Sequence, residues 1–405
     1  MKPIFALAAL LVLHPTIAHA KTMQLTSRAE LLPKETIAQL CGRGMVALIE
    51  SYPDGRSRQV VLFARFPGPP EPIYDALMNV EAYPKYLNTI DTIDIIGRRN
   101  GLTAFSWSLD LPLFALSGTR MQRGLRPHTV ESKGRTGHLR GSRERWELFE
   151  VKGGTLVAFY RALDVETGGF LLRTLVDLEP STEAGANLSS GFIHLRGLEN
   201  HLAGRPATRQ LPEARTGPVH ALVPLDLAKD EGLAVLQPLL AHGQLAVIES
   251  FDDGALRQVA LIGAAKASAK RLHNVVSDAE RYPEFMPNIS HQKVTPHPGG
   301  GRQLAWTIKT PVSSMSGKAL MTVGPSTVDV NATEGDVERA RIHWRFVPTG
   351  EDRAIALYYT YSDIRSASWV TRRLLNAEPL LEHGMVAAAG MVALSAMTAR
   401  AEGRR

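Results

Sequence analysis

The chain has 405 residues, 44% of them hydrophobic and 21% charged, with a formal net charge of +6 and one cysteine, Cys41. That is enough chain for two cores of ordinary domain size. A single thiol excludes an internal disulfide and cysteine-based zinc or iron–sulfur sites; the mild basic excess, without a basic block, argues against nucleic acid and leaves weak attraction to an anionic membrane surface open.

The first twenty residues read as a secretory signal peptide: Lys2, an apolar stretch Ile4 to Leu13, and Ala18-His19-Ala20 as a small-x-small cleavage site. This predicts export across the inner membrane, to a periplasm or outside the cell. A retained anchor is the alternative, although the apolar stretch is shorter than the roughly 20 residues a span needs. Next comes a predicted helix, Lys34 to Ala47, with Cys41 as a packing residue. A strand ending at Glu50-Ser51, a Pro-Asp-Gly turn and a strand Arg58 to Phe66 follow, and Asp-Gly between alternating apolar residues marks a hairpin. Pro72 to Leu87 reads as helical, five or so strands come after it, and a long helix begins near Phe170 and runs to about Leu202. Pro180 inside that helix predicts a kink or break. Arg205 to Pro224, with four prolines, reads as a linker.

Beyond the linker the chain repeats itself at an offset of 199 residues. Glu50-Ser51 returns as Glu249-Ser250, Tyr83-Pro84 as Tyr282-Pro283, Trp107 as Trp306, Gly118 as Gly317 and Gly191 as Gly390. Trp146 and Tyr160 match Trp344 and Tyr358 with one residue of slippage. The period is too long for a solenoid and close to one domain. The predicted organisation is therefore 1–20 signal peptide, 29–204 first domain, 205–224 linker and 225–402 second domain. In the second copy the helices fall at Leu227 to Leu240, Ala267 to Phe285 and Trp369 to about Ala401, the last interrupted at Pro379.

The words Val80-Glu81-Ala82-Tyr83-Pro84-Lys85-Tyr86-Leu87 and Ala279-Glu280-Arg281-Tyr282-Pro283-Glu284-Phe285-Met286, set in this order of elements, resemble the START-like (SRPBCC, Bet v 1-type helix-grip) superfamily. They are similar to its polyketide cyclase/dehydrase and coenzyme Q-binding branch. The resemblance spans about 57–204 and 256–402. It implies an α+β fold of two tandem helix-grip domains, each a curved antiparallel β-sheet wrapped around a long C-terminal α-helix. It also implies a deep apolar cavity, used in that superfamily to bind or carry lipids, sterols, quinones or polyketides and in a minority to catalyse reactions on them.

Strand alternation places Phe105, Trp107, Leu109 and Leu111 on one face, and Leu304, Trp306 and Ile308 on the matching one. Such rows suit either a packed core or the wall of an apolar pocket. Trp344, with Tyr160, Tyr358, Tyr359 and Tyr361, supplies further ligand-facing candidates, the tyrosines placing a hydroxyl at a ligand's polar end. Met385, Met391 and Met397 would form a deformable lid or, at helical spacing, simply core. Glu50 with Arg58 and Glu249 with Arg257 are expected to pair across their hairpins. Asp164 and Asp363 read as capping residues of the final helix, and Arg173 and Arg372 face a headgroup or solvent. The recurrent glycines Gly185, Gly191, Gly384 and Gly390 predict close packing of helix on sheet, or room for a ligand. No nucleophile elbow, phosphate loop or His-Glu-x-x-His motif occurs, and no metal or cofactor is expected. Asn187, Asn288 and Asn331 open Asn-x-Ser/Thr triplets.

The expectation is an exported carrier of a hydrophobic small molecule, with transient contact to a membrane surface or membrane transport system. One rival is an enzyme, a cyclase, dehydratase or hydrolase, which predicts a polar cavity cluster in one copy only, sought around Arg161 and Asp164 or Tyr358 to Asp363. A second rival is a scaffold with filled cavities. The gate is expected at the loops after Pro112 or Pro311.

Overall fold

Alternating apolar residues turn each repeat into eight strands, and the two sets join into one sheet. The first copy contributes β1 (Met45–Ser51), β2 (Ser57–Phe66), β3 (Ile90–Arg99), β4 (Leu102–Leu111), β5 (Phe114–Leu125), β6 (Thr129–Gly137), β7 (Arg143–Val151) and β8 (Gly154–Ala162). The second contributes β9 (Gln244–Ser250), β10 (Leu256–Ala265), β11 (Ile289–Pro296), β12 (Arg302–Lys309), β13 (Ser314–Val323), β14 (Thr327–Gly335), β15 (Ala340–Gly350) and β16 (Arg353–Ser362). The computed structural model describes residues 24–404, apart from 53, 112–113, 170–172, 174–175, 178–180, 209, 214, 226–229, 287–288 and 310–313. The leader-like segment, Pro180, Asn288 and the loops at Pro112 and Pro311 thus lie outside the described residues.

The strand order is β3-β4-β5-β6-β7-β8-β2-β1 followed by its mirror, β9-β10-β16-β15-β14-β13-β12-β11, antiparallel throughout. The junction is the β1–β9 pair, with Val46 opposite Val247, Ala47 opposite Ala246 and Leu48 opposite Leu245. Because residue 47 matches 246 in the repeat, this register is symmetric about Ala47/Ala246, an internal counterpart of a two-fold dimer contact. Gly44 and Gly243 flank it. A Cβ at Gly44 would lie 2.2 Å from the Ile248 carbonyl oxygen, and one at Gly243 2.0 Å from that of Ile49.

Helices cover both faces. On the outer face, α1 (Lys34–Leu40) and the helix over Asp230–Leu240, α5, bury Ile37, Leu236 and Leu239 against Val46, Leu48, Val61 and Val247. On the inner face lie α2 (Pro70–Met78), α3 (Tyr83–Tyr86), α4 (Ser181–Leu202), α6 (Ala269–Ser277), α7 (Trp369–Ala377) and α8 (Leu381–Ala401). Leu188, Phe192 and Leu195 of α4, and Met391, Leu394 and Met397 of α8, pack on Leu62, Phe159, Leu261 and Ala356. This is the α+β, two-fold repeated helix-grip architecture implied by the resemblance. Helix α8, long and apolar enough to cross a membrane, serves here as a mostly buried core helix.

Element boundaries differ from the sequence reading where strand and turn compete with helix. The first helix stops at Leu40, because Gly42 and Gly44 end it and the following apolar run enters β1. Pro72 to Leu87 divides into α2, a 3-10 turn Val80–Ala82 and α3, and Ala267 to Phe285 into α6 and a 3-10 turn Ala279–Glu284. The break at Pro379 is present between α7 and α8. The recurrent tyrosines explain the Tyr-Pro words: Tyr83 Oη donates to the Leu77 carbonyl at 2.7 Å, and Tyr282 Oη to that of Val276, tying each turn to the helix before it.

The glycines of the final helices sit at contacts. Gly185 meets Ala388, and Gly384 meets Ser189, where α4 crosses α8; Gly191 lies over Leu62 and Gly390 over Leu261 and Tyr358. The first pair allows helix on helix and the second helix on sheet, so neither makes room for a ligand. Residues 205–224 run along the second copy: Arg365 donates to the Pro212 carbonyl, Arg339 to that of Gly217, and Gln258 brackets Val223.

Gly243→Val is expected to destabilise the protein by about 1–3 kcal/mol, the range for forced overpacking, because backbone cannot retreat as a side chain can. A shift of the urea midpoint measures it, and a midpoint equal to that of the unaltered protein would contradict the junction described.

Candidate functional site

The sheet's inner face has two zones in each copy. Next to the junction, α4 packs on β1, β2 and β8, and α8 on β9, β10 and β16. Farther out, among the described residues, the inward side chains of the first copy pack with Val80, Tyr83 and Leu139, and α6 covers β14 and β15 in the second. There Leu109, Ile93 and Ile95 in the first copy, and Trp306, Ile308, Val330 and Ile342 in the second, are only half-buried. These half-buried apolar side chains are where a ligand cleft would open.

The predicted residues divide between these zones. Phe105 and Trp107 are buried in a cluster with Val80 and Leu116, with Leu109 packed beside them. Trp306 lies flat over Gly317, whose Cβ would sit 2.8 Å from the indole, and Ile308 follows it on β12. Trp344 and Tyr358 are a buried edge-to-face pair, 4.4 Å between ring centroids, and Met391 is buried in the same core. These three are packing residues next to the junction. Met385 is half-buried on α8, and Met397 is core.

Three tyrosines face the other way. Tyr160 and Tyr359 belong to the outer core, their hydroxyls accepting from the backbone N–H of Arg28 at 3.0 Å and of Leu225 at 3.2 Å. Tyr361 packs against His220 of the linker at 4.5 Å. The reason is parity: Phe159 and Tyr358 point to the helices, so residues one step along point away. Tyr160 and Tyr361 are therefore not ligand contacts in the cleft.

The repeated charges also find other partners. Glu50 is held by Arg28, at 2.8 and 2.6 Å, and by Gln59 at 2.8 Å, not by Arg58. Glu249 is held by Gln258 and by Arg43 of the first copy at 2.9 Å, not by Arg257. The carboxylates are buried inside the hairpins, so their partners come from chain segments crossing above. Asp164 accepts from the Gly141 N–H, and Asp363 pairs with Arg365 at 2.8 Å; both fix turns and cap no long helix. Arg173 and Arg372 are exposed.

A cluster on the inner face of the first copy is visible in sequence only at Arg161. Arg120 of β5, Glu144 of β7, Arg161 of β8 and His194 of α4 converge there. Glu144 lies 3.0 Å from Arg120 and 3.2 Å from Arg161, and Arg161 lies 3.2 Å from His194 Nδ1. Burial alone would raise the Glu144 carboxyl, but Arg120 and Arg161 together bring it down to about 2. Burial also lowers the Arg161 guanidinium to about 10, against the pull of Glu144. Burial, reinforced by Arg161, lowers His194 to about 4, so the imidazole is neutral near pH 7. Its Nδ1 lies 2.8 Å from the Ser190 carbonyl, which can only accept, and 3.2 Å from the Arg161 guanidinium, which can only donate, so the two neighbours ask opposite things of that nitrogen.

The register places Ser132, Glu144 and Arg161 side by side across β6, β7 and β8. Ser132 Oγ and Arg161 Nε are buried without a hydrogen-bond partner, and Glu144 Oε1 has only the Arg161 guanidinium, at 3.2 Å. Buried polar atoms are normally satisfied, so these neighbouring exceptions make the row a candidate polar site. The matching places in the second copy, by the same register, are Val330, Ile342 and Thr360, with Ala319 for Arg120 and Ala393 for His194. One fold thus carries a charged wall in one copy and an almost wholly apolar wall in the other.

Residues 265–377 match the family described as polyketide cyclase / dehydrase and lipid transport. Among solved structures, the di-domain ARO/CYC StfQ from the steffimycin biosynthetic pathway is 15% identical, with 85% of this chain and 98% of that chain covered and a TM-score of 0.31. A protein from Thermus thermophilus, TTHA0849, is 19% identical over 36% of this chain and 97% of that one, with a TM-score of 0.31. A STAR-related lipid transfer protein from Xanthomonas axonopodis is 17% identical over 40% of this chain and 94% of that one, with a TM-score of 0.29. A search of curated proteins found no match.

Two outcomes check the cluster. Glu144→Gln leaves two buried guanidinium groups uncompensated and is expected to cost about 3–5 kcal/mol in urea unfolding. For His194, the unfolded chain takes up a proton near pH 6.5 and the folded one only near pH 4. Its contribution therefore declines as pH falls through that window. The stability of the unaltered protein relative to His194→Gln should drop by on the order of 1–2 kcal/mol between pH 7.5 and 5; a pH-independent difference would contradict a neutral His194. The family match covers one stretch of the second copy, and the internal repeat gives the first copy the same order of elements, so the chain is a tandem of two like-folded domains of which the second resembles that family over residues 265–377.

Proposed function

We propose that the protein is an exported binding and carrier protein whose first domain encloses a hydrophobic molecule ending in a polar group. The observation that carries this reading is the buried row Ser132, Glu144, Arg161, in which Ser132 Oγ and Arg161 Nε lack partners. The apolar body of the ligand lies along Phe105, Trp107 and Leu109, and its polar end meets donors on Arg161 and Ser132, with Glu144 holding the Arg120 and Arg161 guanidinium groups in place. The second domain, with Ala319, Ile342 and Ala393 at the same places, accepts a fully apolar ligand or supports its neighbour. Removing about 300 Å² of ligand surface from water gains on the order of 7 kcal/mol before association costs. A cluster of fixed charges then sets orientation at little reorganisation cost. The leader-like first twenty residues support a periplasmic location, where an apolar molecule needs such a shield.

The same cluster favours a second reading, in which the first domain also performs chemistry on its ligand. A neutral imidazole is a competent general base, and two guanidinium groups beside it can stabilise developing negative charge.

The test exchanges the wall of one copy for that of the other: Arg120→Ala, Glu144→Ile, Arg161→Thr and His194→Ala together. The second domain folds with these residues, so the exchanged chain is expected to fold as well, which circular dichroism checks. Native mass spectrometry and extraction identify co-purified molecules, and displacement of a fluorescent fatty acid measures affinity. At least a tenfold loss for ligands with a polar end, and no loss for hydrocarbons, is expected; unchanged selectivity would overturn the reading. Turnover of a bound molecule that His194→Ala abolishes without weakening binding would favour the enzyme.

A further inference from the structure

Opposite the cleft, the outer face of the same strands carries a different set of charges. Arg123 of β5, Lys133 and Arg135 of β6 and Arg143 of β7 surround an open groove of about 470 Å³, whose walls include Leu25, Leu102 and Met121. Lys133 stands directly opposite Arg143 in the β6–β7 register, an arrangement of like charges that weakens a sheet. Arg143 and Arg135 lower the Lys133 ammonium, and burial together with Arg135 lowers the Arg143 guanidinium. Two acidic residues line the groove: Glu131, whose side chain is on this face, is bound to Arg145, and Glu144, whose side chain alternates to the inner face, is bound to Arg120 and Arg161. Among the described residues none of the four cations forms a salt bridge, and the acidic neighbour that acts on Arg143, Glu131, is shared with Arg145.

The second copy shows what the fold itself needs. Its register-matched positions are Thr322 for Arg123, Asn331 for Lys133 and Thr333 for Arg135, with Arg341 alone kept for Arg143. The sheet forms there without the cationic patch, so the patch is not required for folding. The four cations also cover three strands, about 10 Å of sheet at the usual strand spacing. That is wider than one phosphate and comparable to several adjacent headgroups.

We propose that the outer face of β5, β6 and β7 in the first copy docks on an anionic lipid bilayer, with Arg123, Lys133, Arg135 and Arg143 contacting headgroup phosphates and Leu25, Leu102 and Met121 lying among them. This surface lies on the opposite side of the strands from Glu144 and Arg161, and stands independently of what the cleft binds. Each cation near an anionic surface strengthens binding about fivefold, so removing three costs about 100-fold.

The experiment is co-sedimentation of the full protein with vesicles of phosphatidylcholine alone and of phosphatidylcholine with about 30% phosphatidylglycerol, enough to give an anionic surface. Binding only to the anionic vesicles, abolished by 0.5 M salt (a Debye length of roughly 4 Å), is expected. Lys133→Gln, Arg135→Gln and Arg143→Gln together should weaken it about 100-fold with an unchanged circular dichroism spectrum. Should that variant fail to fold, Arg135→Gln alone should weaken binding about fivefold. Arg341→Gln, the matched position in the second copy, should leave it unchanged. Equal binding to neutral vesicles, an equal loss in Arg341→Gln, or saturable binding of inorganic phosphate without vesicle association would each overturn the proposal.

Discussion

The whole arrangement rests on one antiparallel strand pair, β1 with β9. Each helix-grip unit taken alone would end in an edge strand with unpaired backbone groups, a liability proteins avoid. Here each edge satisfies the other, and the symmetric register about Ala47 and Ala246 makes the two copies face each other as subunits of a dimer do. Only glycine at 44 and 243 lets the backbones come this close. The contact continues through the layers on both sides. Arg43 of the first copy reaches the buried Glu249 of the second, and Phe192 of α4 stacks on His383 of α8 at 4.5 Å between ring centroids. Where the first copy supplies its own cation to Glu50, from Arg28, the second borrows one from its neighbour. Duplication has thus become dependence.

Given a shared scaffold, the informative difference lies in what each copy puts on it. Ser132, Glu144, Arg161 and His194 replace Val330, Ile342, Thr360 and Ala393 without altering register. Buried ion clusters contribute little to stability when compared with apolar packing, and the second copy folds without one. The charged wall is thus an addition that the fold does not need, and it leaves Ser132 Oγ and Arg161 Nε buried without partners. The outer face repeats the contrast, since its cations too belong to the first copy alone, Arg341 excepted.

The tyrosine assignments show where sequence reasoning stops. Alternation along β8 and β16 divides residues into two faces without saying which face the helix covers. It offers Tyr160, Tyr359 and Tyr361 as ligand-facing, yet they lie on the outer face, with the hydroxyls of Tyr160 and Tyr359 accepting from chain that passes over it. Glu50 and Arg58 stand eight residues apart, but Glu50 is buried and takes Arg28, which approaches from above the hairpin. In both cases the deciding partner is a segment whose path no local pattern specifies.

From the amino-acid order alone came the duplication, the hairpin at Asp-Gly, the interruption at Pro379 and the inward row Phe105, Trp107 and Leu109. All of these are local or periodic properties, governed by backbone sterics and side-chain period. Tertiary structure decided the fusion of two sheets into one and the use of Gly185 and Gly384 at a helix crossing. It also assembled Arg120, Glu144, Arg161 and His194 into one cluster. Those four come from four elements, and each in isolation looks like an ordinary surface residue. Burial brings them together, and burial is a property of the folded whole.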